Sequence, residues 1–489
     1  MSRSLREVRE LLFNSWQFAL FFPIVFGLYW WLPHKFRVYL LLIASYWFYM
    51  SWNVKYVVLI LFTTIISYLA AIFLERYPAK SARKVILSLT LVACLGVLFV
   101  FKYFNFFMEA LADLSNMFYF PIHPMTLKLL LPVGISFYTF QTLGYVIDVY
   151  RGTVKAERNF WVYATFISFF PQLVAGPIER TNNLLPQIKA PHEFRYEQAS
   201  YGIKLMTWGF IKKLCVADVL AVYVDRVFGS VYDFKGFALL LAVGFFTLQI
   251  YCDFSGYSDI ARGCSKMLGI ELMENFRSPY FSGSILEFWS RWHISLSTWF
   301  RDYVYIPLGG NRCGKVRHNV NLMLTFIVSG LWHGANWTFL VWGMVHGLGQ
   351  AAENAFLRRE GEAKGFVRAL RTAGTFVFVM LAWVFFRAGS LNEAVYVLGN
   401  LTAGISSLKN YLFVEGVNII DFHPFDLLSV LIPVLALVLW DWLSVKYDAI
   451  TFITCRKSCA VRYVIYFGLL TLLILLRATE KTDFVYFQF

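Results

Sequence analysis

Charge is what this sequence has least of. Only 15% of its 489 residues are Asp, Glu, Lys or Arg, against roughly 25% in soluble globular domains. That scarcity excludes a string of water-soluble domains, and no polar stretch is long enough to form one. Cysteine is sparse as well: seven residues, no two in a CxxC pair. Cys455 and Cys459 lie in the basic loop "TCRKSCAVR", which is expected to face a reducing cytoplasm, so a disulfide framework is excluded. The chain has no HExxH, no clustered Cys/His set, no Walker or Rossmann glycine pattern and no GxSxG. Metal, nucleotide-hydrolysis and serine-hydrolase chemistry therefore have no support, and neither a metal site nor a bound cofactor is expected. Repeats, low-complexity tracts and flexible linkers are also missing, so residues 1–489 read as one membrane domain. The N-terminal "MSRSLREVRELLFNSWQF" has no small-residue cleavage site and reads as mature sequence rather than a signal peptide.

What fills the chain instead is apolar and aromatic. Hydrophobic residues make up 58%, aromatic ones 19%, with 50 Phe, 28 Tyr and 16 Trp, and the mean hydropathy is +0.58. This is the composition of an all-α integral membrane protein with interfacial aromatic belts, in contact with membrane lipids. Runs suited to spanning helices lie near residues 13–32, 37–51, 55–75, 85–101, 130–150, 214–229, 237–262, 372–388, 425–445 and 463–476. That predicts about ten crossings of roughly 20 residues each. Segments broken by Pro, Gly and charge at 161–178 and 285–357 are expected to re-enter rather than cross.

The basic excess, 44 Lys and Arg against 30 acidic residues for a net +14, first suggests nucleic acid. Its distribution argues otherwise: it falls in short loops at 75–84, 151–158, 310–318, 357–371 and 445–462, which the positive-inside rule makes cytoplasmic. Counting back from 75–84 puts the N-terminus outside, against the preference of Arg3, Arg6 and Arg9. A surface-lying amphipathic helix over 3–12 would reconcile the two.

Three polar clusters interrupt apolar sequence, where ionisable groups are a functional-site hypothesis. In "LQIYCDFSGYSDIARG", Asp253 and Asp259 are six residues apart and point to nearly opposite helix faces, so they do not form a paired acid/base device. They either satisfy neighbouring helices or line a wet cavity. In "EFWSRWHISLSTWFRDYVYIPLGGNR", helical spacing puts His293, Ser297 and Arg301 on one face with Trp289 a turn before them; a structural histidine there competes with a functional one. In "SGLWHGANW", Gly330 and Gly334 are expected to loosen the helix around His333, and broken backbone at membrane depth is tolerated beside protein or water. His346 falls on another face and reads as packing. A membrane-embedded histidine without metal partners suits a proton relay in a transporter or a general base in an enzyme.

Taken in order, "LLPVGISFYTFQTLGYVIDVYRG", "FFPQLVAGPIER", "GFIKK", "YCDFSGYSDIA", "ENFRSPY", "FWSRWHISLSTWFRDYVYIPLGGNR" and "GLWHGANWTFLVWG" resemble the membrane-bound O-acyltransferase family, in its bacterial alginate O-acetyltransferase-like branch. The motifs cover about 130–343, and the C-terminal "DFVYFQF" looks like a family ending. The resemblance implies a ring of helices with re-entrant segments around a central tunnel, in a bacterial inner membrane. It implies that His333 is catalytic with His293 as its partner, and that acetyl-CoA, or a carrier-protein thioester, supplies the acyl group. The acceptor would be an extracytoplasmic polysaccharide, reached through a periplasmic or membrane-anchored acetyltransferase partner. Candidate tunnel-lining positions are Asp253, Ser255, Asp259, Trp289, Trp292, Ser297, Arg301, Trp332 and Asn336; Arg312, Lys315 and Arg317 are candidates for the donor's phosphates. Two rivals stand beside this reading: a D-alanyl transferase of teichoic acid modification, and a proton-coupled transporter.

Overall fold

The computed structural model describes residues 13–489 except 175, 357–364, 418–421, 423, 457, 479–483 and 486–489. The surface helix expected over 3–12 lies outside these residues. Among the described residues every regular element is helical. Among the described residues, five helices are long and apolar enough to cross a membrane: Val54–Arg76, Lys80–Met117, Phe237–Met267, Gly365–Arg387 and Asp426–Ser444. Trp16–Trp31 and Cys459–Leu475 are apolar but shorter.

This departs from the expected ten crossings, for a physical reason. The run at 130–150 forms the helix Ile135–Arg151, almost wholly buried in protein, so its apolar surface meets other helices instead of lipid. The run at 214–229 joins a widened π-type turn, Lys212–Ala217, to the helix Asp218–Gly229 of 12 residues, and it carries Lys212, Lys213 and Asp218 buried. These two apolar runs serve packing within the protein, which hydropathy alone does not separate from lipid contact.

The chain divides into two compact units, residues up to Met206 with Ile260–Met273, and Thr207–Asp259 with residues from Glu274 onward. In the first, Val57–Arg76 packs on Lys80–Leu98 and Ile135–Arg151, and His34–Met50 packs on Phe160–Ser168. Some buried polar groups there pair across helices: Ser67 Oγ meets Tyr163 Oη at 2.6 Å. The side-chain amides of Gln141 and Gln172 both donate to the Phe166 carbonyl at 2.7 Å.

In the second unit, Lys315–His333 and Trp337–Phe356 form the most closely packed helix pair. Glycine makes this seam. A Cβ at Gly330 would collide with the carbonyl oxygen of Phe339, and one at Gly343 with that of Phe326. Small residues let membrane helices approach backbone to backbone. Gly330 therefore tightens the pair and sits inside regular helix, contrary to the expected loosening. Gly334 does end the helix, in extended backbone at φ −159°.

Candidate active site

His333 is the last residue of Lys315–His333 and is buried. Its ring is boxed edge-to-face by Trp332 at 4.9 Å, Trp342 at 5.0 Å and Phe386 at 5.3 Å between centroids. Trp332 also faces the second histidine, its ring 6.1 Å from that of His293. The two histidines chosen from sequence thus share one indole as a common wall.

His293 is positioned by a break in the chain. Spacing had placed Trp289, His293, Ser297 and Arg301 along one helix; instead Ile285–Arg291 ends, His293 adopts left-handed backbone at φ 44°, and Ile294–Phe300 begins. Asn275 explains the break. Its carbonyl accepts from Ile294 N at 2.9 Å, and its Oδ1 accepts from Ser295 N at 3.1 Å and Ser295 Oγ at 2.9 Å. These bonds satisfy amides that a continuous helix would have satisfied internally. Left-handed backbone at a non-glycine residue costs on the order of 1–3 kcal/mol and persists where surroundings enforce it, often at functional sites.

The same Oδ1 lies 3.2 Å from His293 Nδ1. Because it accepts from the Ser295 amide it is an acceptor, so His293 Nδ1 carries the proton and donates. A neutral ring held this way presents Nε2 as its basic nitrogen. Phe254 packs edge-on against it at 4.5 Å. Asn275 lies in the quoted "ENFRSPY" motif but was not chosen from sequence; nothing in its spacing ties it to His293, 18 residues later.

A cavity of about 490 Å³ opens beside this cluster. Of the expected lining residues, Trp289, Ser297 and Arg301 border it. The helix Lys315–His333 contributes His318, Leu322, Thr325, Phe326 and Ser329, a single face about three turns long, or roughly 16 Å. His333 continues that face one turn beyond Ser329. At the other end, Tyr305 Oη and His318 Nδ1 are 2.7 Å apart, next to Asn311 and the exposed residues Arg312, Lys315 and Arg317.

Other candidates stand apart from this cavity. Asp253 pairs with Lys213 Nζ at 2.8 Å and accepts from Val485 N at 2.7 Å. Asp259 pairs with Lys212 Nζ at 2.8 Å. Both carboxylates are buried in ion pairs, and neither borders this cavity, where they were candidate lining positions. Lys213 also meets Asp218 at 2.7 Å: residues five apart leave a regular helix face, and the π-type turn realigns them. Trp292 is core, packed on Phe276 and Trp383, each at 5.0 Å. Asn336 donates to the Gly389 carbonyl at 3.1 Å and accepts from Thr338 N at 3.1 Å, starting the next helix. Ser255 is buried on the Phe237–Met267 helix.

His293 and His333, both buried, share Trp332 as a wall, close to a cavity that Tyr305, Asn311 and His318 border. Residues 157–392 match the sequence profile of the membrane-bound O-acyltransferase family. The chain is 43% identical over 378 residues to a probable alginate O-acetylase of Azotobacter vinelandii, covering 77% of this chain and 74% of that protein. It is 35% identical over 385 residues to the peptidoglycan O-acetyltransferase of Helicobacter pylori, covering 73% and 72%. Similarity to the teichoic acid D-alanyltransferase of Streptococcus thermophilus is lower, 29% over 298 residues, covering 55% and 71%. The chain belongs to the membrane-bound O-acyltransferase family and is a multi-pass membrane O-acyltransferase.

Proposed function

We propose that this protein moves an acetyl group from a cytoplasmic thioester, acetyl-CoA, to a polysaccharide hydroxyl on the far side of a bacterial inner membrane. The observation that carries the reading is the continuous face of Lys315–His333, lined by cavity from His318 to Ser329 and ending in His333, which shares the Trp332 ring with His293. The slot suits an extended pantetheine arm, with Arg312, Lys315 and Arg317 at its mouth as attractors for the donor's phosphates. In the reaction, His333 takes the proton as an acceptor hydroxyl oxygen, on the partner that relays the acetyl group to the polymer, attacks the thioester carbon. The C–O bond forms, the C–S bond breaks, and the proton passes to the departing thiolate. A positioned base of this kind is worth typically 10²–10⁴-fold. His293, held by Asn275, sets the polar side of the same pocket.

An acetyl reading is favoured over D-alanyl transfer because the relatives that name O-acetylation are more similar over more of the chain. A carrier-protein thioester would present the same pantetheine arm. A transporter leaves the family membership unexplained. The polymer is handed its acetyl group by a separate periplasmic or membrane-anchored acetyltransferase.

The test is reconstitution in liposomes with labelled acetyl-CoA inside and polysaccharide outside. CoA release is expected from wild type and not from His333→Ala at equal membrane abundance, with polymer labelling rising when the partner is added. Retention of more than about a tenth of the activity by His333→Ala would sink the assignment.

A further inference from the structure

His346 is a polar ring buried completely where a phenylalanine would pack. Its neighbours are aromatic: Trp342 at 5.0 Å, Trp289 at 5.1 Å and Phe378 at 5.6 Å between ring centroids. One directional bond reaches it. The indole Nε1 of Trp289 donates to its Nδ1 at 3.3 Å. An indole N–H can only donate, so Nδ1 is unprotonated and the proton sits on Nε2, which meets no hydrogen-bond partner among the described residues. A neutral histidine thus spends its one bond on a single side chain. That side chain borders the cavity.

Trp289 is placed where it would matter. It lines the cavity together with Phe326 and Ser329, and its ring meets Phe326 edge-on at 5.4 Å. Behind it stands Trp342 at 5.7 Å, whose ring in turn meets His333 at 5.0 Å. Neither Trp342 nor His333 borders the cavity. Trp289 and Phe326 therefore form cavity wall at the level of Ser329, one helical turn short of His333 and on the side toward it. An indole swings about two side-chain torsions; the bond to His346 holds it in one position, as wall between the cavity and Trp342.

We propose that His346 is a positioning residue that pins Trp289, and that the pinned indole limits the donor's acyl group to the smallest chains. This inference rests on the slot's being the donor site. An acetyl group adds a single methyl beyond the thioester carbonyl and fits ahead of the indole. A hexanoyl chain has to displace it.

The experiment uses the full-length protein in lipid nanodiscs, with S-ethyl- and S-hexyl-pantetheine as unreactive probes and acetyl- and hexanoyl-CoA as donors. In the wild type, S-ethyl-pantetheine raises the melting temperature and S-hexyl-pantetheine does not. Trp289→Leu shortens the wall, and His346→Phe keeps the ring volume while removing the acceptor. Both are expected to respond to both probes. Both should also raise the hexanoyl-to-acetyl turnover ratio by about tenfold or more, the scale on which an apolar pocket discriminates chain length. His346→Asn, which keeps an acceptor near Nδ1, should retain the wild-type preference. A merely structural role would lower turnover of both donors together and leave the ratio alone. No response of wild type to S-ethyl-pantetheine overturns the donor-slot reading and this inference with it. A response whose size preference is unchanged in His346→Phe overturns this inference alone, and that variant carries the test if Trp289→Leu fails to fold.

Discussion

Asn275 holds His293 by the same oxygen that starts the next helix: Oδ1 is 3.2 Å from His293 Nδ1 and takes two more bonds from Ser295. Ring orientation and chain break therefore both depend on one residue. Asn275→Ala is expected to lower acetyl transfer by about 10²-fold, the effect of a misplaced reacting group. Asn275→Asp keeps the acceptor and should recover much of that loss. Rates within about threefold of wild type for Asn275→Ala would show that the bond does not position the ring.

Replacing His293 itself mixes two effects, because the residue also adopts left-handed backbone. Alanine loses the ring and keeps the strain, asparagine tolerates the backbone and retains a polar group, and glycine removes the strain with the ring. The expected order of melting temperature is Gly or Asn above Ala. The expected order of transfer rate is wild type, then Asn, with Gly and Ala lowest. Equal rates in all four would make His293 structural.

The glycine seam gives a prediction about stability. Gly330→Ala puts a methyl against the Phe339 carbonyl in a backbone contact that side-chain motion cannot relieve. The loss is expected to be about 1–3 kcal/mol, as for other overpacked sites, read as a lower melting temperature in detergent. Gly374→Ala, where a Cβ meets open space, is the control and should not lower it.

Lys213 neutralises two buried carboxylates, so Lys213→Ala leaves Asp218 and Asp253 short of their shared cation. Breaking a buried pair from one side costs on the order of 3–5 kcal/mol. The exposed Lys80→Ala should stay within about 0.5 kcal/mol. Thermal denaturation of the two variants side by side checks this, and similar melting temperatures would refute it.

Topology is testable by labelling. With Cys455 and Cys459 replaced, Lys80→Cys, Lys315→Cys and Phe366→Cys should react with a membrane-impermeant maleimide only from the cytoplasmic side, since their loops are rich in Lys and Arg. External labelling of Lys315→Cys would overturn the proposed donor side.

Much of this was legible in the residues. His333 and His293 stood out because ionisable rings in apolar sequence need a reason, and the ordered motifs pointed to the family. What escaped was anything carried by distance in sequence. Lys212 and Asp259 are 47 residues apart, so two aspartates on opposite helix faces looked unrelated until adjacent lysines were found to serve both. The break at His293 escaped because periodicity reads side chains, whereas Asn275 acts through backbone amides. Gly330 misled for a related reason: its effect on its own helix is small, and its effect on the neighbouring one is large.

The adjacent lysines carry a consequence for how the protein is made. Translation delivers Lys212, Lys213 and Asp218 before the helix that bears Asp253 and Asp259. Lys213 finds Asp218 almost at once, but Lys212 has to await a carboxylate that leaves the ribosome 47 residues later. Until then a charged amine is costly at membrane depth, and the nascent segment is best kept at the lipid surface or beside the translocation machinery. A chain cut short before Asp259 therefore leaves Lys212 without the carboxylate that pairs with it in the folded protein.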